Sequence, residues 1–128
     1  MKEKLKAQIS QLQKATVRLK EVLLLKPTQV NKDAAIQRFE FTFEIAWKTM
    51  QSVAREKGIE VFSPKDSIRT AAQLRLIEKV EKWFDFLDAR NRSSHLYDEQ
   101  MASEVYREAK KFLPEVERLI EKIKSLEL

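Results

Sequence analysis

The chain contains one histidine, His95, which lies five positions after Arg90 in the segment Arg90-Asn91-Arg92-Ser93-Ser94-His95, here called the Arg90–His95 motif. An arginine stays charged at every working pH and can hold a phosphate through two hydrogen bonds, whereas a histidine titrates near neutrality and can move a proton. RNA supplies its own nucleophile in the 2′-hydroxyl, so these two groups could cleave its phosphodiester bond without a metal ion. Arg90 and His95 are therefore the candidate catalytic residues.

The two ends of the Arg90–His95 motif can face one pocket only if a helix ends between them. On one uninterrupted helix they would lie about 140° apart. Asn91, Ser93 and Ser94 are poor interior helix residues and good cap or turn residues, so we expect a helix end here. We also expect Arg92 and Ser94 to contact the substrate. Because one histidine cannot act as base and acid at once, a symmetric dimer would supply the second copy.

A plainer interpretation of the motif stays open at this point. Arg90 would form an ion pair with Asp85 or Asp88, and His95 would only cap a helix; spacing alone favours this interpretation over catalysis.

Two further expectations concern packing. The two tryptophans, Trp47 and Trp83, and the phenylalanines lie on apolar stripes, so we expect them in the core and not as base-stacking surfaces. Glu44 and Lys48 have the spacing of an ion pair within one helix.

Long helices are predicted by the scarcity of residues that break them, since the 128 residues include one glycine and three prolines. Pro27 ends the first apolar stripe, Gly58 ends the second, and Ser63-Pro64-Lys65-Asp66 is a strong helix start. Pro114 should kink the last helix. The predicted helices cover residues 2–25, 30–57, 64–91 with a break near 77–79, and a last one that Asp98 and Glu99 open and that runs through Ile123.

Four such segments joined by short polar loops predict an all-α fold, an up-and-down antiparallel bundle of four long helices with room for one short extra helix. We expect one domain over residues 1–128. A slim bundle has apolar surface to spare, so a homodimer is expected as well.

The net charge of +5 comes from one end of the chain. Residues 1–26 hold seven basic and two acidic side chains, and the rest of the chain is balanced at 18 of each. A basic helix can bind phosphates, but solvated lysines are the commoner meaning, and both interpretations remain open.

Several classes of protein are excluded by what the sequence lacks. Without cysteine there is no disulfide, thiolate metal site or cysteine nucleophile. The N-terminal segment is charged where a signal peptide would be apolar, and no run approaches the ~20 apolar residues of a membrane span. Neither a phosphate-binding loop nor a metal-ligand spacing is present, so we expect a cytoplasmic protein with no cofactor, no metal site and no membrane association.

The sequence resembles the HEPN superfamily, in particular the branch of nucleotidyltransferase substrate-binding proteins, over nearly its whole length. The resemblance is carried by Ser63-Pro64, Trp83, Arg90-Asn91 followed by Ser94-His95-Leu96-Tyr97-Asp98, and the helix-two segment Arg38-Phe39-Glu40-Phe41-Thr42-Phe43-Glu44-Ile45-Ala46-Trp47-Lys48.

The resemblance implies a dimeric helical bundle similar to the helical domain of kanamycin nucleotidyltransferase. It also implies an RNase toxin in which Arg90 and His95 are catalytic and Asn91 assists. The partner would be a minimal nucleotidyltransferase encoded nearby, an antitoxin that adds AMP to Tyr97 and so places bulk and negative charge beside Arg90.

Two rival functions share this fold. One is a non-catalytic subunit that binds a nucleotide-accepting substrate for the nucleotidyltransferase, so that either RNA or a nucleotide would be the ligand. The other is a homodimeric scaffold, favoured only if no nucleotidyltransferase is encoded next door.

Overall fold

The structure is a computed structural model that describes residues 2–95 and 98–126, and every regular element within those ranges is helical. None of the described helices has the length and apolarity needed to cross a membrane. The elements are α1 (Lys2–Leu23), α2 (Gln29–Glu56), α3 (Pro64–Gln73), α4 (Val80–Arg92), a 3₁₀ turn (Ser93–His95) and α5 (Glu99–Lys124).

The helix starts agree with the residues that predicted them. Ser63 accepts a hydrogen bond from the backbone N–H of Asp66 at 3.1 Å, with Pro64 as the first helical residue of α3. Asp98 caps α5 by accepting from the backbone N–H groups of Gln100 and Met101. These side chains satisfy donors that a helix N-terminus leaves without partners, so both predicted starts are confirmed.

The third predicted segment is two helices, as the expected break indicated. Residues 74–79 separate α3 from α4, and Arg75 has a positive φ of 62°. Leu76 and Ile77 are buried in this connection. The chain therefore leaves the helix so that two apolar side chains can reach the core. Together α3 and α4 take the place of the third long helix.

The core contains an aromatic cluster contributed by α2, α4 and α5. Ring centroids within it lie between 5.2 and 6.3 Å apart, several pairs edge to face. Trp47 and Trp83 are buried, which confirms their predicted place. The members of the cluster are Phe39, Phe43, Trp83, Phe86 and Phe112.

Two phenylalanines contradict the prediction that they belong to the core. Phe41 is 64% exposed and Phe62 is 73% exposed. Phe41 follows Phe39 by two positions, which turns it about 200° around α2 and away from the buried stripe. Phe62 lies in the connection between α2 and α3, outside any helix.

Polar contacts tie neighbouring helices together. Lys82 and Glu115 form an ion pair of 3.7 Å, and Arg92 and Glu104 one of 2.7 Å. The partner of the later α4 residue comes earlier in α5, so these two helices are antiparallel. Helix α5 continues through Pro114 without interruption, and the kink expected there stays a prediction. All five helices contribute buried residues to one apolar cluster.

Candidate functional site

The Arg90–His95 motif spans the end of α4. The α-helix ends at Arg92, and Ser93 to His95 form the 3₁₀ turn that follows. The hydroxyl of Ser93 donates to the carbonyl of Arg90 at 2.6 Å and is almost fully buried, which satisfies a carbonyl at the helix end. The predicted helix end inside the motif is confirmed.

Arg90 is held by a helix far away in the sequence. Its Nη2 lies 2.5 Å from each carboxylate oxygen of Glu44 on α2. Its Nη1 donates to the side-chain oxygen of Asn91 at 3.2 Å. The alternative of an ion pair with Asp85 or Asp88 is therefore wrong, because packing of α2 against α4 brings a better-placed carboxylate to the guanidinium.

Glu44 also receives a second donor, the indole Nε1 of Trp47 at 2.9 Å. A carboxylate with an arginine and an indole N–H as partners is fixed in direction. The predicted Glu44–Lys48 ion pair is not among the ion pairs of the described residues. The ammonium of Lys48 instead lies 5.9 Å from the centroid of the Trp47 ring.

Arg92 contacts α5, whereas Arg90 contacts α2. Its Nη1 donates to Glu104 on α5 at 2.7 Å, and its Nε lies 3.0 Å from a carboxylate oxygen of Asp88 as an ion pair without hydrogen-bond alignment. Ser94 is exposed, with its hydroxyl 3.5 Å from the carbonyl of Asn91. Arg92 thus joins α4 to α5, and the substrate contacts expected of Arg92 and Ser94 stay predictions.

The remaining site residues fall at the edge of what the structure describes. The backbone of His95 completes the 3₁₀ turn, but its side chain lies outside the described part of the chain. Tyr97 lies outside the described residues altogether. Convergence of Arg90 with His95 and modification of Tyr97 therefore stay predictions.

Arg90 lies in the wall of a groove of about 1080 Å³ that runs between α1 and α2. Sequence reasoning missed this groove, although the basic excess of the first helix was a signal for it. Among its lining residues are the cations Lys14, Arg18, Arg38 and Lys48, the carboxylates Glu40 and Glu44, and the exposed ring of Phe41.

Comparison with known proteins identifies relatives along nearly the whole chain. The family described as "Nucleotidyltransferase substrate binding protein like" matches residues 3–125. A Haemophilus influenzae protein named "Probable ribonuclease HepT" is 35% identical over 96 residues. That match covers 71% of this chain and 66% of the relative, so the chain spans just under two thirds of that relative's length.

Solved structures repeat the fold. A Thermus thermophilus protein has a TM-score of 0.84 at 35% identity, with 88% of this chain and 98% of that one covered. A Haemophilus influenzae protein, described as revealing the fold of a substrate binding domain of a nucleotidyltransferase, has a TM-score of 0.69 at 29% identity, with 96% and 98% covered.

A more distant structure shares the fold alone. It is a tri-AMPylated Shewanella oneidensis HEPN toxin in complex with an MNT antitoxin, with a TM-score of 0.77 at 20% identity and with 95% and 97% of the two chains covered.

Proposed function

Because the chain belongs to the family of nucleotidyltransferase substrate binding protein like proteins, we propose that it is the HEPN-type toxin of a toxin–antitoxin pair. Its activity would be metal-independent cleavage of RNA in the cytoplasm. The observation that carries this proposal is Arg90, whose guanidinium is fixed by Glu44 at the end of α4, where the 3₁₀ turn brings the chain to His95.

Arg90 retains capacity for a phosphate in this arrangement. A guanidinium has five N–H groups. Glu44 is held through Nη2, and Asn91 accepts one bond from Nη1. Within the described residues the Nε–H group and the second Nη1–H group make no hydrogen bond. A bridging phosphate can accept from these, which places positive charge where the transition state gathers negative charge. Asn91 would assist by orienting the guanidinium.

The reaction is a transesterification within the RNA. His95 removes the proton of a 2′-hydroxyl, the 2′-oxygen forms a bond to the adjacent phosphorus, and the bond from phosphorus to the 5′-oxygen breaks. His95 of a second copy in the homodimer gives a proton to the leaving 5′-oxygen. The products are a 2′,3′-cyclic phosphate and a free 5′-hydroxyl. Because the two histidines carry both proton transfers and Arg90 the charge, this scheme requires no metal ion or cofactor.

Regulation belongs to a partner, a minimal nucleotidyltransferase acting as antitoxin. The hydroxyl oxygen of Tyr97 would attack the α-phosphorus of ATP and release pyrophosphate, leaving AMP on the tyrosine. Tyr97 follows the motif by two positions, so the added phosphate would compete with RNA for Arg90. The AMPylated toxin of Shewanella oneidensis in its antitoxin complex supports this scheme by analogy.

A second candidate function is a non-catalytic subunit that binds the nucleotide-accepting substrate of a nucleotidyltransferase. The description of the Haemophilus influenzae structure favours it. On this proposal Arg90 would bind a phosphate of the ligand without any cleavage.

One assay separates the two functions. The purified chain is incubated with RNA in EDTA beside His95→Ala, and products are resolved on a denaturing gel. Cleavage by the unaltered chain and none by the variant supports the toxin. Intact RNA in both reactions rejects it and leaves the binding subunit.

A further inference from the structure

The α1–α2 groove carries an excess of positive charge that the reaction at Arg90 does not use. Five cations, Arg90 among them, line it against two carboxylates. Lys14, Arg18 and Lys48 are exposed, and none of the three has a carboxylate within ion-pair distance among the described residues. Cations without carboxylate partners attract polyanions, and a concave wall concentrates that attraction.

Apart from Glu40, the remaining charges of the groove are paired or held by hydrogen bonds. Glu44 is bound by Arg90, so one of the two carboxylates is neutralised. Arg38 donates from Nη1 to the backbone carbonyl of Arg18 at 2.7 Å and keeps its charge while joining the two helices. The groove therefore presents a net positive charge to any ligand that reaches Arg90.

Phe41 gives the groove a flat apolar surface. Its ring is 64% exposed on α2 and lies between Arg38 and Lys48 in the sequence. Lys48 follows Arg38 by ten positions, a helical length of about 15 Å. That length spans on the order of four stacked nucleotides. An exposed aromatic ring flanked by cations is the arrangement of single-stranded nucleic acid binding surfaces.

We propose that the α1–α2 groove binds the single-stranded RNA that flanks the scissile phosphate, with Lys14 and Arg18 on phosphates and Phe41 stacked on a base. This inference rests on the proposed function and deepens it. It also gives the basic excess of α1 a role, because Lys14 and Arg18 lie four residues apart and so on one face of that helix.

The test uses the full chain carrying His95→Ala, which binds RNA without cutting it, and fluorescence anisotropy of a labelled single-stranded RNA in EDTA across a series of salt concentrations. The variants added to this parent are Lys14→Gln/Arg18→Gln and Phe41→Ala. The matched control is Lys4→Gln/Lys6→Gln, which removes the same charge from exposed positions of α1 outside the groove.

Each variant has its own expected signature. Lys14→Gln/Arg18→Gln weakens binding and reduces the slope of log K against log salt by about 1.4, since each lost phosphate contact on a single strand contributes ~0.7. Phe41→Ala weakens binding about 5- to 150-fold at an unchanged slope, because stacking releases no counterions. The control retains most of the parent's affinity and slope.

Three results would overturn the groove as an RNA site. One is that both groove variants bind RNA as tightly as the parent, or that the parent itself does not bind RNA. Another is that the variants lower the oligomer mass by light scattering while RNA affinity stays unchanged, which makes the groove an interface between copies. A third is loss of nucleotidyltransferase binding with RNA affinity unchanged. In each case cleavage by the unaltered chain in EDTA still decides the proposed function separately.

Discussion

Glu44 holds Arg90 across 46 positions of the chain, and the two side chains are each about 30% exposed. The contact joins α2 to the end of α4, so the direction of the guanidinium depends on how two distant helices pack. Trp47 fixes the carboxylate from the other side. The packing of the helices in the bundle, and not the motif alone, therefore determines the position of Arg90.

Glu44→Ala should lower the rate of RNA cleavage, kcat, by roughly 10- to 100-fold, because Arg90 loses the group that orients it. KM should change less. The free energy of unfolding should fall by about 1 kcal/mol, less than the ~1.5–3 kcal/mol typical of bonds to charged groups, because both side chains are partly exposed. Steady-state cleavage and urea unfolding measure the two effects.

Two variants check that assignment. Glu44→Gln keeps one oxygen as acceptor and should recover much of the lost kcat. Glu56→Ala, on α2 outside the groove, removes a carboxylate that makes no ion pair among the described residues and should leave kcat unchanged. A folded Glu44→Ala variant with unaltered kcat would remove Glu44 as a positioning residue.

Tyr97→Phe should abolish the gain of one AMP unit after incubation with the partner nucleotidyltransferase and ATP, since phenylalanine has no hydroxyl to attack phosphorus. Intact mass spectrometry measures the gain. Tyr106→Phe is the matched control, because Tyr106 is buried in α5 and should leave the gain intact. Mass gain in the Tyr97→Phe variant would point to another acceptor.

Trp83→Ala should lower the free energy of unfolding by about 3–5 kcal/mol, because it removes a large, fully buried ring from the aromatic cluster. Trp83 is 1% exposed and lies edge to face against Phe86 and Phe112 at 5.4 and 5.5 Å. The exposed Phe62→Ala is the control and should change stability by less than about 0.5 kcal/mol. The urea midpoints of the two variants are compared with that of the unaltered chain. If Trp83→Ala does not fold, Trp83→Phe is the milder variant to measure. Equal midpoints would contradict the burial of Trp83.

Gly58→Ala should cost about 1 kcal/mol of stability, because Gly58 has a φ of 79° that an L side chain adopts unfavourably. A Cβ there would meet nothing within 4 Å, so backbone strain alone sets the cost. Gly58→Asn should cost less, since asparagine tolerates this region better. Thermal unfolding measures the difference, and an alanine variant as stable as the parent would show that the turn relaxes.

Local signals predicted the helices well. Ser63 and Asp98 begin α3 and α5, and the polar residues of the Arg90–His95 motif end α4, because capping and helix termination depend on neighbours within a few positions. The break before α4 was also expected, although α3 ends four residues earlier than the start of the predicted break. Its length follows from burial of Leu76 and Ile77, which is a tertiary effect.

The partner of Arg90 could not be predicted in the same way. Spacing offered Asp85 and Asp88, whereas Glu44 reaches Arg90 only through the relative placement of α2 and α4. The exposure of Phe41 could have been predicted from the sequence, since its angle from Phe39 around α2 places it off the buried stripe.

The hydrogen bond from Trp47 to Glu44 gives the chain an optical reporter of its own site. The indole ring shares a carboxylate with Arg90, so a phosphate bound to the guanidinium changes the electric field at that indole, and we expect its emission to change. The only other tryptophan, Trp83, sits in an apolar setting and emits as an internal reference. Occupancy of the site can thus be followed by native fluorescence, with no label attached to the protein.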